Sequence, residues 1–129
     1  MTAKKVVSTN TAPQAVGPYS QAVRANGFIF LSGQLPLDPK TGTIAATDIE
    51  SQTRQAMNNI KAILTSCGSS LSDVVKTTVF LKDIQDFTRM NGVYKEYFAQ
   101  DAPARSTVQV ANLPMNSLVE IESIAIAEK

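Results

Sequence analysis

Pro103-Ala104-Arg105-Ser106-Thr107-Val108-Gln109-Val110, followed after a short loop by Val119-Glu120-Ile121, is the stretch from which the architecture can be read. A strand beginning near Arg105 places Arg105, Thr107 and Gln109 on one face and Ser106, Val108 and Val110 on the other. The chain thus opens one strand with an arginine and the next apolar run with a carboxylate, Glu120. The guanidinium is permanently charged and forked, which suits two-point binding of a carboxylate or phosphate. Arg105 and Glu120 can equally pair with each other or face water, as most surface charges do.

Upstream, Val74, Val75, Thr77, Thr78, Val79, Phe80 and Leu81 have the branched and aromatic composition of a central strand covered on both faces. Asp83 is placed to cap a helix whose Phe87, Met90, Val93, Tyr94, Tyr97 and Phe98 form an apolar stripe, stopped by Asp101 to Pro103. Asn91 shares a face with Phe87, Tyr94 and Phe98, so its amide needs a partner, as a bonded core group or as a site residue. Thr47 and Glu50 read as a capping box for an earlier helix. Its stripe is Ile49, Thr53, Ala56, Ile60, Ile63, Leu64 and Cys67, and Gly68 ends it. Cys67, at the apolar end, reads as a small buried filler.

Asn26-Gly27 between Tyr19–Arg24 and Phe28–Ser32 predicts a tight hairpin. Thr9 to Pro18 is loop, and Asp38 to Gly42 is a second turn-rich segment. Ser32 sits at a strand end, where a hydroxyl commonly satisfies neighbouring backbone. The last strand is expected over Val119–Ala127. The order is strand, hairpin, helix, strand, helix, strand, strand, with neither a glycine-rich phosphate loop nor an internal repeat. This predicts one α+β domain over residues 1–129. Two helices cover one face of a sheet, and the other keeps apolar residues such as Val75, Val79, Ile121 and Ala125, which predicts self-association.

The chain has 129 residues, enough for one domain that buries about two-thirds of its unfolded surface. Twelve basic residues against 11 acidic ones give a net charge of +1, so no global field concentrates nucleic acid or an anionic membrane. A single cysteine excludes an internal disulfide. The absence of histidine removes the usual triads, the usual general base near neutral pH and most zinc sites. Any catalysis must then use carboxylates, hydroxyls, backbone groups or arginine. No run approaches the about 18 apolar residues of a membrane span. Residues Met1 to Val7 lack the apolar core of a secretory signal and the character of a mitochondrial leader, so a cytoplasmic protein is expected.

Gly17-Pro18-Tyr19-Ser20-Gln21-Ala22, Ser32-Gly33-Gln34, Asn91 with Tyr94, and Pro103-Ala104-Arg105-Ser106 with Leu113 and Val119-Glu120-Ile121 resemble, in order and spacing, the motifs of the reactive intermediate deaminases (Rid or YjgF-type). The resemblance spans essentially the whole chain and is nearest to fungal cytosolic members. It implies a chorismate-mutase-like fold assembled as a homotrimer, with the sheets forming an inner barrel and the sites lying in clefts between subunits. It implies hydrolysis of 2-imino acids, such as 2-iminopropanoate and 2-iminobutanoate made by pyridoxal-phosphate dehydratases, to 2-keto acids and ammonia. No cofactor or metal is implied for the hydrolase itself.

On that resemblance Arg105 anchors the substrate carboxylate, while Glu120 and Thr107 orient water and relay a proton. Tyr19, Ser32, Phe87 and Asn91 form cleft wall and polar lining. Position 107 departs from the many members with cysteine there, which argues against thiol chemistry. Two other readings remain open: a ribonuclease that inhibits translation, disfavoured by the near-neutral charge and missing histidine, and a non-catalytic trimer that binds small carboxylates or holds unfolding clients.

Overall fold

In the computed structural model, which describes residues 3–127, six strands form one mixed sheet in the order β1-β2-β3-β6-β4-β5. The strands are β1 (Lys5–Val7), β2 (Ala22–Ala25), β3 (Phe28–Gln34), β4 (Val74–Leu81), β5 (Ala104–Gln109) and β6 (Val119–Ile126). Helices α1 (Ile49–Ser66) and α2 (Phe87–Tyr97) pack side by side on one face. Every neighbouring pair is antiparallel except β4 and β5, which run parallel with α2 as their crossover.

The hairpin forms where Asn26-Gly27 predicts it, with φ of 52° and 86°, the left-handed pair that a two-residue turn requires. Its first strand begins at Ala22 rather than Tyr19, which leaves Tyr19 on the approach loop. Helix α1 buries Ile49, Thr53, Ala56, Met57, Ile60, Ile63 and Leu64, a stripe at three- and four-residue steps. Its cap corrects the sequence reading: Asp48, not Thr47, accepts from the Ser51 amide at 2.8 Å. At the other end Gly68, at φ 81°, lets Ser69 N–H reach Leu64 O and its own N–H reach Thr65 O. Asp83 caps a short 3-10 turn, Ile84–Asp86, that runs directly into α2. Cys67 is partly buried against the core, and desolvation pushes its thiol pKa up, consistent with a filler.

The faces of the sheet are assigned differently from the expectation. Val79, Ile121 and Ala125 are fully buried beneath the helices, together with Ile29, Leu81 and Val119. The opposite face carries Phe28, Phe30 and Ile126 on β3 and β6, each 38–44% exposed, with Lys76, Thr78, Phe80, Glu122 and Ile124. The Phe28 and Phe30 rings lie 6.2 Å apart on this face. Strand β4 is flanked by β5 and β6, but within one chain only one of its faces is buried. An apolar, helix-free face is therefore present, but built largely from other residues than the alternation implied: of the four expected to stay uncovered, Val75 alone is exposed.

Candidate functional site

Arg105 lies opposite Thr77 in the β4–β5 register, on the helix-covered face. Thr77 is buried and its hydroxyl is 2.7 Å from the Tyr94 hydroxyl of α2, which fixes that ring under the arginine. The guanidinium carbon stands 4.7 Å from the Tyr94 ring centroid and 5.4 Å from that of Phe87. Arg105 Nη1 donates to Asn91 Oδ1 at 2.7 Å, so the amide predicted to need a partner finds the arginine. Among the described residues no carboxylate pairs with Arg105; the ion pairs are Arg54–Glu96 and Arg89–Asp86. A half-buried cation is thus oriented by an amide and two ring faces, with no protein anion to neutralise it. Burial raises the Tyr94 pKa, and the Thr77 hydrogen bond and Arg105 charge offset this in part.

Thr107 follows two residues on and faces the same way, opposite Val79. Its oxygen is shielded from solvent and has no hydrogen-bond partner among the described residues. Gln109 accepts from the Ile84 amide at 2.8 Å and ties the end of β5 to the turn that starts α2.

Glu120 is elsewhere. It lies opposite Phe80, an odd number of residues from Thr77, and so projects from the other face of the sheet. Its surroundings are Tyr19, Ser32, Gly33, Val16, Leu35 and Pro114, which line a cavity of about 410 Å³. Ser32 sits where the β3–β6 register shifts, and its hydroxyl donates to Ser20 O at 2.5 Å, so it serves the backbone while lining the cavity. Desolvation raises the Glu120 pKa above the ordinary 4.5, and the Glu122 charge adds to the rise. The carboxyl can therefore hold a proton at a pH where an exposed glutamate has released it.

The residues singled out in the sequence thus form two groups. Arg105, Asn91, Phe87 and Thr107 gather between β5 and α2, and Tyr19, Ser32 and Glu120 gather on the opposite side; within one chain the structure does not bring them together. Three residues that shape the second group, Gln21, Pro114 and Met115, are not among the site residues singled out in the sequence, although Gln21 lies in the Gly17–Ala22 motif. Gln21 is buried, with Oε1 accepting from Thr9 N at 2.7 Å and Nε2 donating to Pro13 O at 2.7 Å, and it holds the loop that carries Val16. Pro114 and Met115 belong to a turn whose residues 115 and 116 both have φ of 56°. Among the described residues no cluster of three or more histidine, cysteine or acidic groups is arranged to hold a metal.

A family model described as Endoribonuclease L-PSP matches residues 9–127. A RutC family protein of Pyrococcus horikoshii is 55% identical over 97% of this chain and 99% of its own length. A 2-iminobutanoate/2-iminopropanoate deaminase of Dermatophagoides farinae is 44% identical over 99% and 100%. Among solved structures, yeast Mmf1 superposes with a TM-score of 0.93 at 41% identity, covering 98% of this chain and 100% of that one. TdcF of E. coli with bound serine gives 0.91 at 43%, covering 96% and 99%. The mixed sheet and two helices recur in these structures, and the match runs nearly end to end, so the chain belongs to the Endoribonuclease L-PSP family, whose members include proteins named as deaminases of reactive imines.

Proposed function

We propose that this chain hydrolyses 2-imino acids to 2-keto acids and ammonia, in a cleft that a second copy of the chain completes. The observation that carries this reading is the Arg105 fork, preset by Asn91 and two aromatic faces and unmatched by any carboxylate among the described residues. Such a group is built for an anion from outside. A planar 2-imino acid supplies a carboxylate for it and leaves the adjacent carbon open to water.

The second group supplies what that carbon needs. Glu120, with its raised pKa, takes a proton from water as the oxygen bonds to the iminium carbon and the C=N electron pair returns to nitrogen. It then hands the proton to that nitrogen, which leaves as ammonia while C=O forms and the hydroxyl proton is released to solvent. Thr107, on the Arg105 side, is the hydroxyl available to steady the water. Since Arg105 and Glu120 face opposite ways in one chain, the reading requires β5 and α2 of one copy to meet the Glu120 cavity of the next. The helix-free face with Phe28 and Phe30 gives the apolar surface for such an assembly, expected to be a homotrimer. The relative named as a 2-iminobutanoate/2-iminopropanoate deaminase and the relative holding serine support a small amino-acid-derived substrate. A ribonuclease reading has less support, because a net charge of +1 gives little attraction for a phosphate backbone.

The test couples a threonine dehydratase to the protein and follows imine loss by semicarbazide trapping. Arg105→Ala loses the fork and the charge, and Arg105→Lys only the fork. At roughly 1.5–3 kcal/mol per charge-assisted bond, alanine should lower kcat/KM by tenfold to several hundredfold, with lysine between. An intact assembly of Arg105→Ala that hydrolyses the imine at the wild-type rate would overturn the proposal.

A further inference from the structure

The cavity beside Glu120 continues past the polar groups. Val16, Tyr19, Gly33, Leu35 and Pro114 line both it and a second compartment of about 180 Å³, which is closed by Pro13, Leu37, Gly42 and Met115. No charged residue lines this second compartment. All three of its glutamines are already committed to backbone carbonyls: Gln14 to Thr9 O at 2.9 Å, Gln21 to Pro13 O at 2.7 Å and Gln34 to Ser32 O at 3.2 Å. What remains for a ligand is largely apolar surface, continuous with a site whose other end holds Ser32 and Glu120.

Met115 closes this compartment from an unusual backbone. Residues 115 and 116 both sit in the left-handed region, which side chains other than glycine rarely adopt. The turn is held by Asn116 N–H to Leu113 O at 3.2 Å, Ser117 N–H to Pro114 O at 3.2 Å, and a bond from the Lys82 ammonium to Asn116 Oδ1. A flexible thioether on a pinned turn makes a wall that can adjust to ligands of different length.

Resting on the deaminase reading, we infer that this compartment is a side-chain subsite, with Leu37 and Met115 as specificity-determining residues that favour 2-imino acids bearing unbranched apolar side chains of three or four carbons over 2-iminopropanoate. The reacting carbon lies beside Glu120, and the side chain extends between Leu35 and Pro114 toward Leu37 and Met115. Each methylene moved from water into such a compartment raises kcat/KM by about fourfold.

The experiment uses the assembled protein and imino acids generated in place from alanine, 2-aminobutyrate, norvaline and norleucine by a broad-specificity amino-acid oxidase, with semicarbazide competing for the imine. Wild type should show kcat/KM rising along the series. Leu37→Phe, which fills the compartment with an apolar ring, should lower the norleucine-to-alanine ratio by about tenfold. Met115→Gly suits the left-handed backbone and removes the wall, and should lower the ratio by about fourfold. Hydrolysis of the series with that ratio unchanged in both assembled variants overturns the subsite while leaving the deaminase reading standing. No hydrolysis of any member by wild type overturns the deaminase reading and the subsite with it.

Discussion

The Glu120 carboxylate occupies the space into which a side chain at position 33 would grow: a β-carbon built on Gly33 falls 2.1 Å from Oε2 and 2.9 Å from Cδ. That overlap is beyond accommodation by small shifts, and Glu120 is the flexible partner. Gly33→Ala should therefore fold but push the carboxyl out of its pocket toward solvent. Its pKa should fall toward the exposed value, moving the acidic limb of the pH–activity profile to lower pH, and kcat should drop more than KM rises. An unchanged limb in an active Gly33→Ala protein would show that Glu120 is not the group titrating.

The same carboxyl makes stability depend on pH in a stated direction. Burial raises its folded-state pKa above 4.5, so between that value and the raised one the folded chain keeps a proton that the unfolded chain has lost. Its contribution to stability is intact below 4.5 and declines as pH rises through the window. Glu120→Gln removes the penalty. Urea unfolding should find the variant more stable than wild type at pH 7 and the difference smaller at pH 4; the reverse order would contradict the assigned shift.

Asn91 holds the arginine through its side-chain oxygen. Asn91→Ala should leave α2 intact, since the residue lies on its partly exposed side, but free the guanidinium to swing. Losing one hydrogen bond to a charged group, about 1.5–3 kcal/mol, corresponds to a fall of roughly tenfold to a hundredfold in kcat/KM. Asn91→Asp, which keeps an acceptor but adds a charge that competes for the fork, should also raise KM steeply. Steady-state kinetics in which both variants match wild type would remove Asn91 from the site.

Phe30 is 44% exposed on the helix-free face, beside Phe28. If that face joins the copies, Phe30→Asp buries a charge at the contact and should break the assembly. Sedimentation should give roughly three chain masses for wild type and a smaller species for the variant. A wild-type monomer at micromolar concentration would contradict the shared cleft.

Much of this fold was legible because local signals agreed with the final packing: Asn26-Gly27 forced one turn, and the α1 stripe admits only one buried face. The faces of β4 and β6 were not legible. Near the end of β6, Ile124, Ala125 and Ile126 are all apolar, so alternation cannot say which points at the helices. The N-cap was misplaced by one residue because Thr47 and Asp48 are adjacent and both competent. Within the site, Asn91 was read as an amide wanting a partner, and it has one. That Arg105 and Glu120 point apart could not be read from spacing along the chain, because it depends on which β4 residues they oppose. The approach of Gly33 to Glu120 depends on a register shift between β3 and β6 that leaves no local signature.

In the proposed assembly, a sheet that sends its arginine one way and its carboxylate the other would make each subunit a donor of half a site to each of two neighbours, with a consequence for mixed assemblies. A subunit with Arg105→Ala still carries a sound Glu120 cavity, and one with Glu120→Gln still carries a sound Arg105 fork. Unfolded together and refolded as a random equal mixture, two impaired proteins should regain about a quarter of the wild-type number of complete sites, because a complete site needs an intact Arg105 from one subunit and an intact Glu120 from its neighbour, each present about half the time. The same variants assembled separately and then combined should stay impaired until subunits exchange, and the rate at which activity returns would report how often the assembly opens.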